Sequence, residues 1–365
     1  MKKNLFLLGL AVAAMTSCTN DEVVEMKQPT QKAIGFESFV NKGTRAVTPT
    51  TNDIIKFYAY GYYGTGNDIK SLWTNGVAVG RTDNTSTSWS YYTTDDKTNQ
   101  RFWTKNTYQF GAYANANTSD AALLGVTFDE GTSTVELVIP NYTVNDANDL
   151  VADIVTCDNS NLSYRGTVNF SFKHLLTKVK FIVKNNDNKY KMRITGALVV
   201  NGANKTGTCV VRKNPNVSAN GQAYSEWNVS ESSVIYNPFF PTLTDGVSSS
   251  DGYIAVDGTV ESDEFFVLPQ KVENITFSIQ ATFYDDANQV VAVKDLALKP
   301  ILVDNNDGKW KEGTYYKYTI SLPTSAKPIE FGQIGVGGWT ETPIELNNET
   351  DPDIPTPDSG EEAGE

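Results

Sequence analysis

The sequence predicts an all-β protein built of two sandwiches, and three observations carry that expectation. Of 365 residues, 18 are Tyr, 17 Phe and 6 Trp, and Val, Ile and Thr are plentiful, a composition that suits pleated, half-buried surfaces. Runs with helical spacing are nearly absent. Short apolar alternations recur instead, separated by Asn, Asp and Gly, which is the spacing of a sandwich rather than of alternating β-α units. The length suits two sandwiches with a core each. Their division is expected near Arg165, in the polar stretch before "FSFKHLL".

The chain opens "MKKNLFLLGLAVAAMTSCTNDE". Two lysines precede an apolar run from Leu5 to Met15 that is shorter than the ~20 residues a membrane helix needs, so residues 1–17 read as a secretory leader. Small residues leading into Cys18 resemble the lipobox of bacterial lipoproteins. That resemblance implies cleavage before Cys18 and acylation of it, giving a lipid anchor in the outer membrane; more than one acyl chain makes such an anchor stable. An ordinary leader with an incidental cysteine is the alternative.

The strand-like runs then follow in order. "KAIGFESFV" puts Ile34 and Phe36 on one face and is followed by a lone Arg45 in the polar "NKGTRA". "DIIKFYAYGYYG" places Ile55, Phe57 and Ala59 on one face, with Tyr58 and Tyr60 on the other. "RFWTKNTYQFGAYANA" comes after a long polar loop, and "TVELVIPNY" alternates Val135, Leu137 and Ile139. "NDANDLVADIVTCDNSNLSYRG" has turn signals at both ends. In "TVNFSFKHLLTKVKFIVKNND", Val179, Phe181 and Val183 face inward while Lys178, Lys180 and Lys184 face out. Further runs are "KMRITGALVVNG", "EFFVLPQ", "NITFSIQATFYDD", "QVVAVKDLAL", "TYYKYTISL", "KPIEFGQIGVGGW" and "PIEL".

Little in the chain points to chemistry. The formal charge of −13, or −15 once Lys2 and Lys3 leave with the leader, repels phosphate backbones, so no nucleic acid is expected as a partner. With Cys18 acylated, Cys157 and Cys209 remain, either as a disulfide in an oxidising compartment or as two buried thiols. The single histidine, His174, lies in an apolar strand context, reads as structural, and cannot support a multi-His metal site. "DNNDG" at Asp304–Gly308 reads as a hairpin turn rather than a calcium loop, and Asp95-Asp96 and Asp285-Asp286 fall at turns. No cofactor and no metal are implied, and an enzyme is not expected; the alternatives are chiefly a glycosidase using a carboxylate pair and, more remotely, His174 activating Cys157 or Cys209.

Several runs, taken in order, resemble the fimbrillin family, the subunits of type V pili and their Mfa-like relatives: "RFWTKNTYQFGAYA", "NDLVADIV", "FSFKHLLTKVKFIV", "EFFVLPQ", "KWKEGTYYKYTISL" and "IGVGGW". The likeness extends from the lipobox to Trp339. It implies two tandem transthyretin-like β-sandwiches, export as an outer-membrane lipoprotein, trimming by an arginine-specific surface protease, and release into an extracellular fimbrium. On that reading residues 18–45 are a propeptide that carries the first strand, 46–165 and 166–346 are the two sandwiches, and 347–365 is an acidic tail with no fixed fold.

A cut between Arg45 and Ala46 would remove the strand holding Ile34 and Phe36. It would leave unpaired main-chain groups and an apolar groove, a template for another chain's strand. The donor is expected within Lys327–Leu346, where Ile329 with Phe331, Ile334 with Val336, and Ile344 with Leu346 form i, i+2 pairs. Against this, the glycines there weaken strand character, and the segment could instead close its own domain. A head-to-tail contact that does not close makes a filament, so the partners expected are other pilus subunits, with adhesion to a host or bacterial surface ligand as the purpose. If Arg45 is not cut, the protein stays an anchored lipoprotein. The second class of function is a non-polymerising surface glycan-binding lipoprotein, with Trp73, Trp89, Tyr91, Tyr92, Phe102 and Trp103 as an aromatic platform.

Overall fold

The computed structural model describes residues 32–40, 54–64, 68–83, 86, 88–91, 99–115, 122–130, 134–145, 147–161, 166–195, 198–213, 223–230, 233–238, 240, 253–298, 308–322 and 330–336. The leader 1–17, Cys18, Arg45, Ala46, Tyr92, the Asp95-Asp96 pair, Arg165, residues 304–307, Ile329, Ile344, Leu346 and the tail 347–365 lie outside the described residues.

The architecture is all-β, as the composition requires. The first strands are β1 (Gly35–Val40), β2 (Lys56–Tyr63), β3 (Lys70–Ser71), β4 (Val77–Gly80) and β5 (Ser90–Tyr91). There follow β6 (Thr107–Asn115), β7 (Thr127–Glu130), β8 (Val135–Thr143), β9 (Leu150–Asp158) and β10 (Thr167–His174). Next come β11 (Thr177–Asn185), β12 (Lys191–Ile194), β13 (Val199–Asn204), β14 (Thr206–Lys213), β15 (Tyr224–Val229) and β16 (Ser233–Tyr236). The last are β17 (Thr259–Glu261), β18 (Phe265–Val267), β19 (Thr276–Tyr284), β20 (Val290–Leu298), β21 (Tyr315–Leu322) and β22 (Glu330–Val336). Among the described residues no helix is long and apolar enough to cross a membrane.

The largest sheet runs β1-β10-β9-β6-β2-β4-β5, with β3 beside β2. It curls on itself, because the Tyr91 hydroxyl on one edge strand donates to the Ile34 carbonyl just before the other, at 2.8 Å. Gly61 lies where the curl is tight: a Cβ there would stand 2.8 Å from both Leu72 and Phe110. The inner face holds an aromatic core that includes Phe57, Trp73, Phe110, Phe170 and Phe172. On the outer face Tyr60, Tyr113 and Leu150 pack against Val135, Leu137 and Ile139 of a second sheet, β15-β14-β8-β7. Two further sheets, β17-β11-β21-β22 with β18 beside β11 and β12-β19-β13-β16 with β20 beside β19, enclose a separate core.

Strand alternation explains most of the burial. Val179, Phe181 and Val183 are fully buried, as are Val135, Leu137 and Ile139. Phe57 and Ala59 point into the curl while Tyr58 and Tyr60 pack on its outside. Two expected positions are corrected. Ile55 is 46% exposed and Ile54 is buried in its place, because the alternation begins only at Lys56. Lys178 is 1% exposed rather than outward. Its cross-strand neighbours are Phe266 on β18 and Tyr315 on β21, and their rings cover it while its ammonium meets Glu264 at 2.8 Å. Burial works to raise the Glu264 carboxyl, but hydrogen bonds from Lys178 and the Tyr315 hydroxyl hold it below the ordinary carboxylate range.

The division expected at Arg165 does not coincide with a break in pairing. β10, at 167–174, belongs to the curled sheet. The β14–β15 hairpin, well beyond that boundary, returns to pair with β8 over Thr206–Lys213. Leu175, Leu176, Phe266 and Leu268 share one cluster with the outer face of the curled sheet, so the two halves are joined by packed side chains.

Candidate functional site

The strand upstream of Arg45, β1, lies at the edge of the curled sheet. It runs parallel to β10, Gly35 opposite Thr167 through Val40 opposite Phe172. Its approach is pinned by the Ile34 N–H, which donates to the Arg101 carbonyl at 2.8 Å, and by the Trp103 N–H, which donates to the Lys32 carbonyl at 3.0 Å. Strand parity follows from these bonds: Ile34 directs its main-chain groups toward Arg101 and Tyr91, so Gly35, Glu37 and Phe39 direct theirs toward β10. β1 is therefore the stave that closes the curl between β10 and the 101–103 segment.

Ile34 and Phe36 are both buried, as their spacing predicts. Phe36 is the anchor. Its ring stands 6.2 Å from Phe57, 6.0 Å from Trp73, 5.9 Å from Tyr91, 6.1 Å from Phe110 and 6.0 Å from Phe170. Three of the five contacts are edge-to-face, the favoured arrangement of ring quadrupoles. The walls of this seat are fixed by other bonds: the Trp73 indole donates to the Asn99 carbonyl at 2.9 Å, Arg101 to the Leu72 carbonyl at 2.9 Å, and the Trp103 indole to the Gly166 carbonyl at 3.1 Å. Burial pushes the Tyr91 hydroxyl up to about 12, so it is a neutral donor at any physiological pH.

The same geometry corrects the reading of these aromatics as a sugar platform. Trp73 and Trp103 are 5% and 4% exposed. Trp89 packs on Phe57 at 4.9 Å with Arg81 over its ring, and Tyr91 touches Phe36. Phe102 is exposed at 41%, the one member of the group turned outward among the described residues. Trp73, Tyr91 and Trp103 line the seat of β1.

The last described strand, β22, is also at a sheet edge. β22 carries Phe331, Ile334 and Val336 and pairs antiparallel with β21, placing them opposite Ile320, Lys317 and Tyr315. The middle of the expected donor segment thus closes its own sheet, the alternative the sequence left open. The cysteines are not bridged: Cys157 on β9 lies in the inner cluster of the curled sheet and Cys209 on β14 in the outer one, both as buried thiols. Burial pushes the Cys209 thiol far above its usual range. His174 is structural, its Nδ1 2.5 Å from the Asp149 carboxylate.

One feature of the seat gives no sign in the sequence beyond a lone acid in an apolar strand. β10 pairs with β9 only at Lys173–Ala152 and His174–Val151. Above that point the Asp153 carboxylate stands between the strands, accepting from the Ile154 N–H at 2.8 Å and the Ser171 N–H at 2.7 Å. Burial pushes Asp153 up to about 6, against the pull of those two bonds and of the Lys213 and Lys173 charges. The Lys213 ammonium donates to the Ile154 carbonyl at 3.1 Å and Lys173 to the Ala223 carbonyl at 2.6 Å.

Compared with known proteins, residues 44–339 match a family model described as fimbrillin-like. The chain is 23% identical to the fimbrium subunit Fim1C of Phocaeicola vulgatus over 385 aligned residues, covering 93% of this chain and 97% of the relative. Its fold is similar to the crystal structure of a fimbrial protein from Bacteroides vulgatus, with a TM-score of 0.52 at 18% identity, covering 85% of this chain and all of the other.

Proposed function

Because the chain belongs to the fimbrillin-like family, we propose that it is a structural subunit of a surface fimbrium, exported as a lipoprotein on Cys18, cut after Arg45 and joined to its neighbours by strand exchange. Its role is assembly and adhesion rather than catalysis. The observation that carries this reading is the place of β1: an edge strand with one ladder partner, lying just upstream of Arg45, that buries Ile34 and Phe36 in an aromatic seat. Withdrawing it breaks the β1–β10 ladder and the short contacts to 101–103 and Tyr91. What is left is a groove floored by Phe57, Phe110 and Phe170 beside a strand with unpaired main-chain groups, which another strand can fill. A side chain the size of Phe or Ile gains roughly 1.5–3 kcal/mol on burial there.

The donor is drawn from the end of the chain. β22 already closes the edge beside β21, so Ile344 and Leu346, beyond it, are the donor pair we favour. The intact first strand blocks the seat, and a subunit with its seat filled cannot polymerise early.

The test compares the wild type with Arg45→Ala in cells, reading the mature N-terminus by mass spectrometry and assembly by the ladder of detergent-resistant oligomers. Wild type beginning at Ala46 and forming the ladder, with the variant still beginning at Cys18 and remaining monomeric, is the expected result. A ladder formed equally by the variant rules out processing at Arg45 as the trigger.

A further inference from the structure

β10 has two edges and six residues, Thr167–Phe172, whose described ladder partner is β1 alone. Yet β9 lies on its other side, and the register already begun there continues without a gap. Lys173 opposite Ala152 and His174 opposite Val151 extend to Ser171 opposite Ile154, Asn169 opposite Thr156 and Val168 opposite Cys157. In an antiparallel pair Ser171 and Ile154 would exchange both N–H···O bonds. The Asp153 carboxylate takes both of the N–H groups that this pair needs, one on each oxygen. Lys213 takes the Ile154 carbonyl. All three bonds occupy the line along which the two strands would otherwise zip.

We infer that Asp153, assisted by Lys213, is a positioning residue of the seat: a polar spacer that keeps β10 off β9 and so keeps the outer edge of β10 presented to whatever strand fills the place of β1. Buried main-chain groups must find partners. A β10 satisfied along β9 would carry Phe170, which stacks on Phe36, out of the seat. The main-chain groups of Val168, Phe170 and Phe172 face away from β9, and with β10 held in place they meet β1 or a strand that takes its position. The inference concerns the seat holding the chain's own β1 and does not depend on a cut at Arg45.

The test uses the full chain, the variant Asp153→Asn, and site-resolved amide hydrogen exchange. The two N–H groups sit on different oxygens, and Asn puts an NH2 donor where one of them stood, so one N–H loses its acceptor. In the variant, amides of Gly35, Glu37 and Phe39 exchange about tenfold faster relative to the β6–β9 ladder, while those of Asn169 and Thr156 slow. Asp158→Asn, on the same strand but exposed, leaves the pattern unchanged. As a second readout, Val168→Cys is introduced with and without Asp153→Asn. The introduced thiol forms a disulfide with Cys157 under mild oxidation several times faster when Asp153 is replaced. An equal loss of protection across β1, β6 and β9, or equal trapping rates in both backgrounds, overturns the spacer and leaves Asp153 as a stabilising hydrogen-bond acceptor only.

Discussion

The two ends of the described chain each supply an edge strand, and they are held in different ways. β22 lies antiparallel to β21 over seven pairs, and β21 is itself paired over eight residues with β11 on its other side. β1 lies parallel to β10, and the outer half of β10 has no second ladder behind it. Parallel pairs are also slightly weaker per residue than antiparallel ones. Losing β22 would leave an intact sheet with a new edge; losing β1 would leave Thr167–Phe172 of β10 without their described ladder partner and an aromatic core open to water. What distinguishes the two edge strands is the support behind each, not the place at an edge.

The largest effect bearing on this contrast is expected from Phe36→Ala. Truncating a ring held by five others should cost about 3–5 kcal/mol, read as a lower denaturant midpoint for unfolding of the full chain. A cost under about 1 kcal/mol would refute the claim that the seat is organised around this residue. Next is a proline comparison. Glu37→Pro removes an N–H aimed at β10, worth about 1 kcal/mol as a hydrogen bond, and should free the amides of Val168, Phe170 and Phe172 to exchange. Prolines at Gln333 and Ile334 together should loosen β22 and leave the amides of Tyr316, Tyr318, Ile320 and Leu322, which face β11, protected. Equal opening of β10 and β21 would erase the distinction.

A pH prediction follows from Asp153, whose native value near 6 stands above its usual 3.8. Between these values the native state binds more protons than the unfolded one, so this group makes stability fall as pH rises from about 4 to 6. Asp153→Asn should remove that part of the slope, and an unchanged slope would mean the carboxyl is not perturbed. The smallest effect tests the packing of the thiols. Cys157 and Cys209 should resist alkylation in the folded protein and both react after denaturation without reductant; unreacted cysteines would reveal a bridge.

Much of the seat was legible along the chain. The alternation in "KAIGFESFV" picks out Ile34 and Phe36, both of which are buried. The alternations at Val135–Ile139 and Val179–Val183 read correctly because a period of two is a local property of an extended backbone. The reading failed where a distant strand intervened. Lys178 looked outward until Phe266 and Tyr315 arrived on either side of it. Trp73 and Trp103 looked like loop aromatics until the curl folded them inward. Asp153 in "LVADIV" was visible only as an acid among apolar residues.

Read alone, the chain defines what each segment can be: strand or turn, apolar face or polar face. Those follow from local sterics and side-chain chemistry, which need no neighbours. Which strands meet was settled by the folded molecule: β1 with β10 in parallel, β14 back to β8 across the expected boundary, and a carboxylate where β9 and β10 part. Such pairings are chosen by contacts between residues far apart in the chain, and the closure entropy that opposes them varies too slowly with loop length to be read from the sequence.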